Sequence, residues 1–142
     1  MGDRSSEFKD RQSLVGGERV SPRSFEDLEA WQNARLLTSE IYRLCRQNPL
    51  NADWGLTSQL RRAAVSIMNN LAEGWESLHP DEKKQFYNYA RRSCGEVRST
   101  SYVLLDNEYI SEKDHETLLS SCICTGMLIS GLIRSLASRK SA

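Results

Sequence analysis

The sequence predicts an all-α fold, an antiparallel up-down-up-down four-helix bundle, from three observations. Apolar residues recur every three or four positions along four separate segments, the period of a single helix face. No segment shows the sustained alternation of a half-buried strand, and no Asn-Gly or Asp-Gly pair marks a hairpin. The connections between periodic segments are about two to eight residues long, which sets consecutive helices side by side in opposite directions. A chain of 142 residues holds one domain with a real core and is short for two.

Residues 1–23 are polar and mixed in charge, with Gly16-Gly17 and Pro22. Phe8, Leu14 and Val15 are too isolated to build a core, so this stretch reads as a disordered or weakly ordered tail, or as a partner-binding arm. The bundle is expected over 24–138, followed by a short tail at 139–142. Its first helix is expected to start at Ser24, where Ser24 and Asp27 resemble a capping box. Phe25, Leu28, Trp31, Ala34, Leu37 or Thr38, Ile41, Leu44 and Cys45 give its seam, and Asn48-Pro49 stops it. The second helix begins near Asn51 to Asp53 and runs to about Glu76. Its seam is Leu56, Leu60, Ala63, Ala64, Ile67, Leu71 and Ala72, with Gly74 in the last turn.

The third helix opens at Pro80, with Asp81 and Glu82 in the first turn, and continues through Phe86, Tyr87, Ala90, Cys94, Val97, Ser101, Leu104 and Leu105 to Asn107. Gly95 is a candidate for close helix approach. Tyr109-Ile110 connects to a fourth helix capped by Ser111, with Asp114 at its third position. Leu118, Leu119, Cys122, Ile123, Met127, Leu128 or Ile129, Leu132, Ile133 and Leu136 carry its apolar series.

Composition narrows the function. Lys plus Arg equals Asp plus Glu at 19 each, so no global field attracts nucleic acid or anionic lipid, and a nucleic-acid role requires local charge segregation. Met1 to Lys9 is polar and charged rather than a secretory leader, and Met127 to Leu136 is interrupted and too short to span a bilayer. These features point to the cytoplasm, with no membrane partner. The cysteines Cys45, Cys94, Cys122 and Cys124 all fall where a small buried hydrophobe would serve. Cys122 and Cys124 point about 200° apart on a helix, and only His79 and His115 are available beside them, so no metal set is assembled. A metal or redox protein is therefore the weakest reading. No nucleophile–base pair or glycine-rich phosphate loop is present, and no catalytic residue or cofactor is expected.

The residue words FEDLEAWQNARLL from Phe25, GLTSQLRRAAVSI from Gly55, NLAEG from Asn70, ARRSCGEV from Ala90, DNEYI from Asp106 and GMLISGLIRSL from Gly126 are spaced in order across the chain. Together they resemble the bacterial four-helix-bundle family named for the 23S ribosomal RNA intervening sequence. A more distant likeness is to the accessory variability determinant of diversity-generating retroelements. The resemblance covers nearly everything from Phe25 to Leu136 and implies the same four-helix fold. It also implies a homopentameric ring with basic side chains in its channel, RNA or DNA association, and a reverse transcriptase as a protein partner in the retroelement branch. Met68 stands where the family has proline, and Arg92 where it has glycine.

Five cations are the candidate nucleic-acid contacts. Arg61 and Arg62 fall in a family word and project about 100° apart, suiting phosphate contact or ion pairing, within a bundle or across a protomer interface, with Glu73, Glu96 or Asp106. Lys84, Arg91 and Arg98 recur at heptad spacing on one face of the third helix, near Asn88 and Gly95 and flanked by Lys83 and Arg92. The bland reading of that stripe is a solvated helix face. Tyr87 and Tyr89 offer base-stacking rings, although Tyr87 fits the core better and Tyr89 a rim. Glu73 and Glu96 suit pairing or capping better than acid catalysis. Trp54 and Trp75 are candidates for a subunit interface, with Trp31 on the core seam. The expected function is a non-catalytic, self-associating bundle that contacts RNA or DNA phosphates. The rival is a structural adaptor whose ring recruits a protein, through the tail for example.

Overall fold

The computed structural model describes residues 20–140. Most of the tail expected over 1–23 lies outside the described residues, as does the end of the tail expected at 139–142. Four helices make up the fold: α1 (Glu29–Cys45), α2 (Trp54–Glu76), α3 (Pro80–Asp106) and α4 (Glu112–Lys140). Short 3-10 turns at Phe25–Asp27 and Leu50–Ala52 lead into α1 and α2.

Cross-helix contacts fix the helix directions. Arg43 of α1 reaches Asp114 of α4 at 3.4 Å, whereas Asn33, earlier on α1, donates to Cys124, later on α4, at 3.2 Å. Tyr42 meets Arg61 and Thr38 meets Ala64 between α1 and α2. Gln59 meets Glu96 and Ser66 meets Ser93 between α2 and α3. Tyr102 packs on His115 and Cys94 bonds Cys122 between α3 and α4. Every pair runs in opposite senses, and α1 closes the ring against α4. This is the up-down-up-down bundle expected from the short connections.

The core is one cluster along the axis. Leu37, Ile41, Leu44, Leu60, Ile67, Leu71, Val97, Leu104, Leu118 and Ile129 are all essentially without exposure. The seams read from the sequence on α2 and α3 supply it. On α1 the cluster also takes in Ala30, with Asn33 buried on the same side.

Local chemistry sets most helix ends. The Asp53 carboxylate accepts the Leu56 N–H at 3.2 Å, capping α2, and its other oxygen accepts the Tyr109 hydroxyl at 3.0 Å. One side chain thus ties the α1–α2 connection to the α3–α4 connection. The hydrogen bond to Asp53, followed by burial, raises the Tyr109 phenol above its ordinary range, so it is protonated at neutral pH. The contact contributes fully below the ordinary phenol range and is lost as alkaline pH rises through the raised value. Asp53→Ala is expected to lower stability by about 1 kcal/mol from the lost cap alone, with Asp53→Asn retaining most of it; urea denaturation checks both.

The Lys83 ammonium donates to the Gly74 and Trp75 carbonyls at 3.2 and 2.7 Å, satisfying the last turn of α2 and complementing its dipole. Pro80 opens α3 as expected, and the Ser111 hydroxyl accepts the Asp114 N–H at 3.0 Å to open α4. After α3 the chain turns through Glu108 at φ 57°, with Tyr109 N–H bonded to Leu104 O at 2.9 Å, a Schellman closure.

Several expectations require correction. α1 starts at Glu29 rather than Ser24. Leu28 adopts an extended conformation that sends its side chain into the core, ending the short turn before it. Ser24 makes no side-chain cap, and the Asp27 carboxylate accepts the Arg23 N–H at 3.0 Å instead. Gly95 is exposed with open space around it. The close approach occurs at Gly74, where an added Cβ would lie 2.5 Å from the Tyr87 ring. Cys124 is exposed, unlike Cys45, Cys94 and Cys122. α4 runs to Lys140, past the expected end at 138. From Glu112 to Ala137 α4 is long and apolar enough to cross a membrane, although the run from Met127 alone is not. Its charges lie mainly in the first turns, while Leu118, Cys122, Thr125 and Ile129 face the core.

Candidate nucleic-acid interface

The seam of α2 dictates where its arginines go. With Leu60, Ala63, Ala64 and Ile67 turned inward, Arg61 lies on the α1 side and Arg62 on the outer face. The Arg61 guanidinium sits over the Tyr42 ring, 5.9 Å from its centroid, and Arg62 Nη2 donates to Ser58 Oγ at 3.3 Å. Both arginines line a shallow hollow with Tyr42, Ser66, Asn69 and Asn70. Asn70 Nδ2 donates to the Ser66 carbonyl and hydroxyl at 2.8 and 2.9 Å, which holds the amide in place. Among the described residues neither arginine forms an ion pair with Glu73, Glu96 or Asp106 within the bundle. Both remain available to an anion.

A second hollow runs along α3. Lys84, Arg91 and Arg92 line it with Asp81, Asn88 and Tyr89. The Arg92 guanidinium is 6.0 Å from the Tyr89 ring centroid, repeating the Arg61–Tyr42 arrangement. Arg98 is exposed but does not line this hollow. It lies towards α4, where its charge acts on the Cys94–Cys122 pair. Arg98 thus continues the face of Lys84 and Arg91 two turns farther along the helix, beyond the lining they share with Arg92.

The two hollows lie on neighbouring helices. Ser66 lines the first, and its hydroxyl lies 2.9 Å from that of Ser93, the residue following Arg92. A band therefore crosses from Tyr42 on α1, over the outer face of α2, to Tyr89 on α3. Its linings hold Arg61, Arg62, Lys84, Arg91 and Arg92 against one carboxylate, Asp81. Exposed Glu96, one turn after Arg92, borders this surface through its bond to Gln59 of α2.

Other candidates have structural tasks. Arg43 bridges Glu40 at 2.6 Å and Asp114 at 3.4 Å, and the Glu40 hydrogen bond raises its pKa. Glu96 accepts from Gln59 at 3.5 Å. Buried Cys94 donates to the Cys122 carbonyl at 3.1 Å, and the neighbouring Cys94 thiol, with burial, pushes Cys122 well above the usual thiol range. Trp54 is 81% exposed, whereas Trp75 is half-buried beneath the Lys83 ammonium. Among the described residues no group of three or more His, Cys, Asp or Glu side chains is arranged to hold a metal ion.

Tyr42, Ser66 and Ser93 entered none of the sequence-level site assignments. Tyr42 had a visible signal, an aromatic off the α1 seam, but its partner arginine lies on another helix.

Fold and band together define a class, an all-α four-helix bundle with a basic, tyrosine-bearing surface on an otherwise neutral chain. The model of the 23S rRNA-intervening sequence protein family matches residues 26–131, and the chain belongs to that family. A solved structure from Bacteroides thetaiotaomicron, described as a protein of unknown function from the S23 ribosomal protein family, is similar in fold. It has a TM-score of 0.69 and 16% identity, covering 74% of this chain and 95% of that one. No curated protein matches the sequence.

Proposed function

We propose that this chain is a non-catalytic, self-associating bundle that binds RNA or DNA through phosphate contacts. The observation that carries the reading is the band of Arg61, Arg62, Lys84, Arg91 and Arg92, whose linings hold a single carboxylate. Cations on a rigid helical scaffold neutralise backbone phosphates and release counterions, a mode of binding that needs no base recognition. The family name, which refers to an rRNA insert, is consistent with an RNA ligand.

Self-association supports the reading through addition of fields. Copies of a neutral protomer arranged in a ring, five in our proposal, bring their basic bands together while distributing acidic faces elsewhere. The apolar outer face of α4, with Met127 68% exposed and Ile123 beside it at one turn's spacing, suits a contact between copies. The bundle acts in the cytoplasm, away from membranes, with a reverse transcriptase as a candidate protein partner. Light scattering at micromolar concentration is expected to give a mass of several chains; a monomeric mass contradicts the ring.

The binding test compares two variants by filter retention of labelled RNA and DNA at low salt. Arg61→Gln with Arg62→Gln is expected to weaken binding about tenfold or more, whereas Arg98→Gln leaves it within about twofold. Absence of retention by the unmodified chain overturns the proposal. The adaptor reading draws on exposed Trp54 and Leu78, at 81% and 87%, and predicts a salt-tolerant protein partner in a pull-down.

A further inference from the structure

We infer that the ligand of the basic band is single-stranded nucleic acid, its bases stacked on Tyr42 and Tyr89. This rests on the phosphate-binding reading and specifies its substrate class. Two exposed tyrosines lie along the band, Tyr42 on α1 and Tyr89 on the α2-facing side of α3. Each is 39% accessible, with a guanidinium about one ring-width above it. Neither ring is needed by the core, which Tyr87 supplies from the same helix as Tyr89. Tyr89 accepts from Gln85 Nε2 at 2.8 Å and meets Phe86 edge to face, contacts that hold the ring in place and leave it accessible as a stacking platform.

Duplex and single strand make different demands on such a surface. A duplex presents phosphates outward and keeps its bases stacked on one another, so aromatic faces at the protein surface gain little from it. A single strand exposes base faces, and alternation of cations with aromatic rings matches its alternation of phosphates and bases. Exposed cation–π contacts are weaker than base–aromatic stacking, so Arg61 and Arg92 can turn from their rings to phosphates as bases take the rings. Between the tyrosines lie Asn69, a neutral donor and acceptor, the Asn70 carbonyl side, an acceptor, and the Ser66–Ser93 hydroxyl pair, a surface that tolerates any base edge. The span from α1 over α2 to α3 covers two helix spacings, roughly 20 Å, enough for several extended nucleotides.

Sequence preference is not built into this arrangement, because every base has a π-face and no rigid bidentate fork faces a base edge. The ligand class is therefore an unpaired segment, whether RNA or DNA, rather than a defined operator.

Fluorescence anisotropy of the full chain tests the inference with a labelled 20-nucleotide mixed-sequence strand, free and annealed to its complement. The free strand is expected to bind at least tenfold more tightly than the duplex. Tyr42→Leu and Tyr89→Leu should each weaken single-strand binding about tenfold and leave duplex binding unchanged, whereas the Phe variants retain it. Thermal melting of each variant confirms folding, which the exposure of both side chains favours. Equal or tighter duplex binding, or Leu variants that bind the free strand normally, overturns the stacking inference while leaving phosphate binding intact. Failure of both forms to bind at low salt overturns the phosphate-binding reading itself.

Discussion

Gly74→Ala is expected to destabilise the bundle by about 1–3 kcal/mol, while Gly95→Ala is expected to stabilise it by up to about 1 kcal/mol. Both substitutions exchange glycine for the best helix former inside a helix, and both gain the same backbone-entropy advantage. The difference is tertiary. A Cβ on Gly74 would lie 2.5 and 2.7 Å from two atoms of the Tyr87 ring and 3.2 Å from Phe86 Cβ. Tyr87 is buried among core residues and has little room to retreat, so the added methyl overpacks the α2–α3 contact. Nothing lies within 4 Å of the equivalent atom at Gly95. Calorimetry should therefore separate the two variants by roughly 10 °C, with the parent between them. Equal melting temperatures would show that the α2–α3 packing at Gly74 is wrongly described.

The second large effect concerns the band. Replacing Arg61, Arg62, Lys84, Arg91 and Arg92 together by Gln is expected to reduce nucleic-acid affinity roughly 100- to 1000-fold at moderate salt. None of the five contributes an ion pair within the described residues, and the stability loss should be small beside the binding loss. Arg43→Gln provides the contrast. It removes the bridge to Glu40 and Asp114, which are 17% and 33% exposed at their side chains, and should cost stability by up to about 1 kcal/mol without touching affinity. Charge at the surface thus divides into a structural link between α1 and α4 and a band on α2 and α3 that has no ion pair among the described residues.

How far the sequence carries depends on the range of the interaction concerned. Asp53, Pro80 and Ser111 act within a few residues of themselves, and the helix starts they mark were legible. Ser24 carries the same local signal, but Leu28 is drawn into the core, and burial of an aliphatic side chain outweighs a capping bond. Gly74 and Gly95 look alike along the chain because their difference lies in which residue of a neighbouring helix stands opposite. The same holds for the site. Heptad spacing put Lys84, Arg91 and Arg98 on one face of α3; of these, Lys84 and Arg91 line a common hollow, and Tyr42 faces Arg61 from another helix. Which side of α3 faces α4, and which residue of α1 faces Arg61, are decided by interhelical register, and a single sequence does not display it.

The salt dependence of binding tests the central claim most directly. The full chain is titrated with a labelled single strand and with a duplex between about 50 and 200 mM monovalent salt, and log affinity is plotted against log salt. Five phosphate contacts in the band predict a linear decline with a slope of about −3.5 on the single strand, and about −4.5 on any duplex that engages all five. A slope near zero, or no binding of either ligand at the lowest salt, would contradict it.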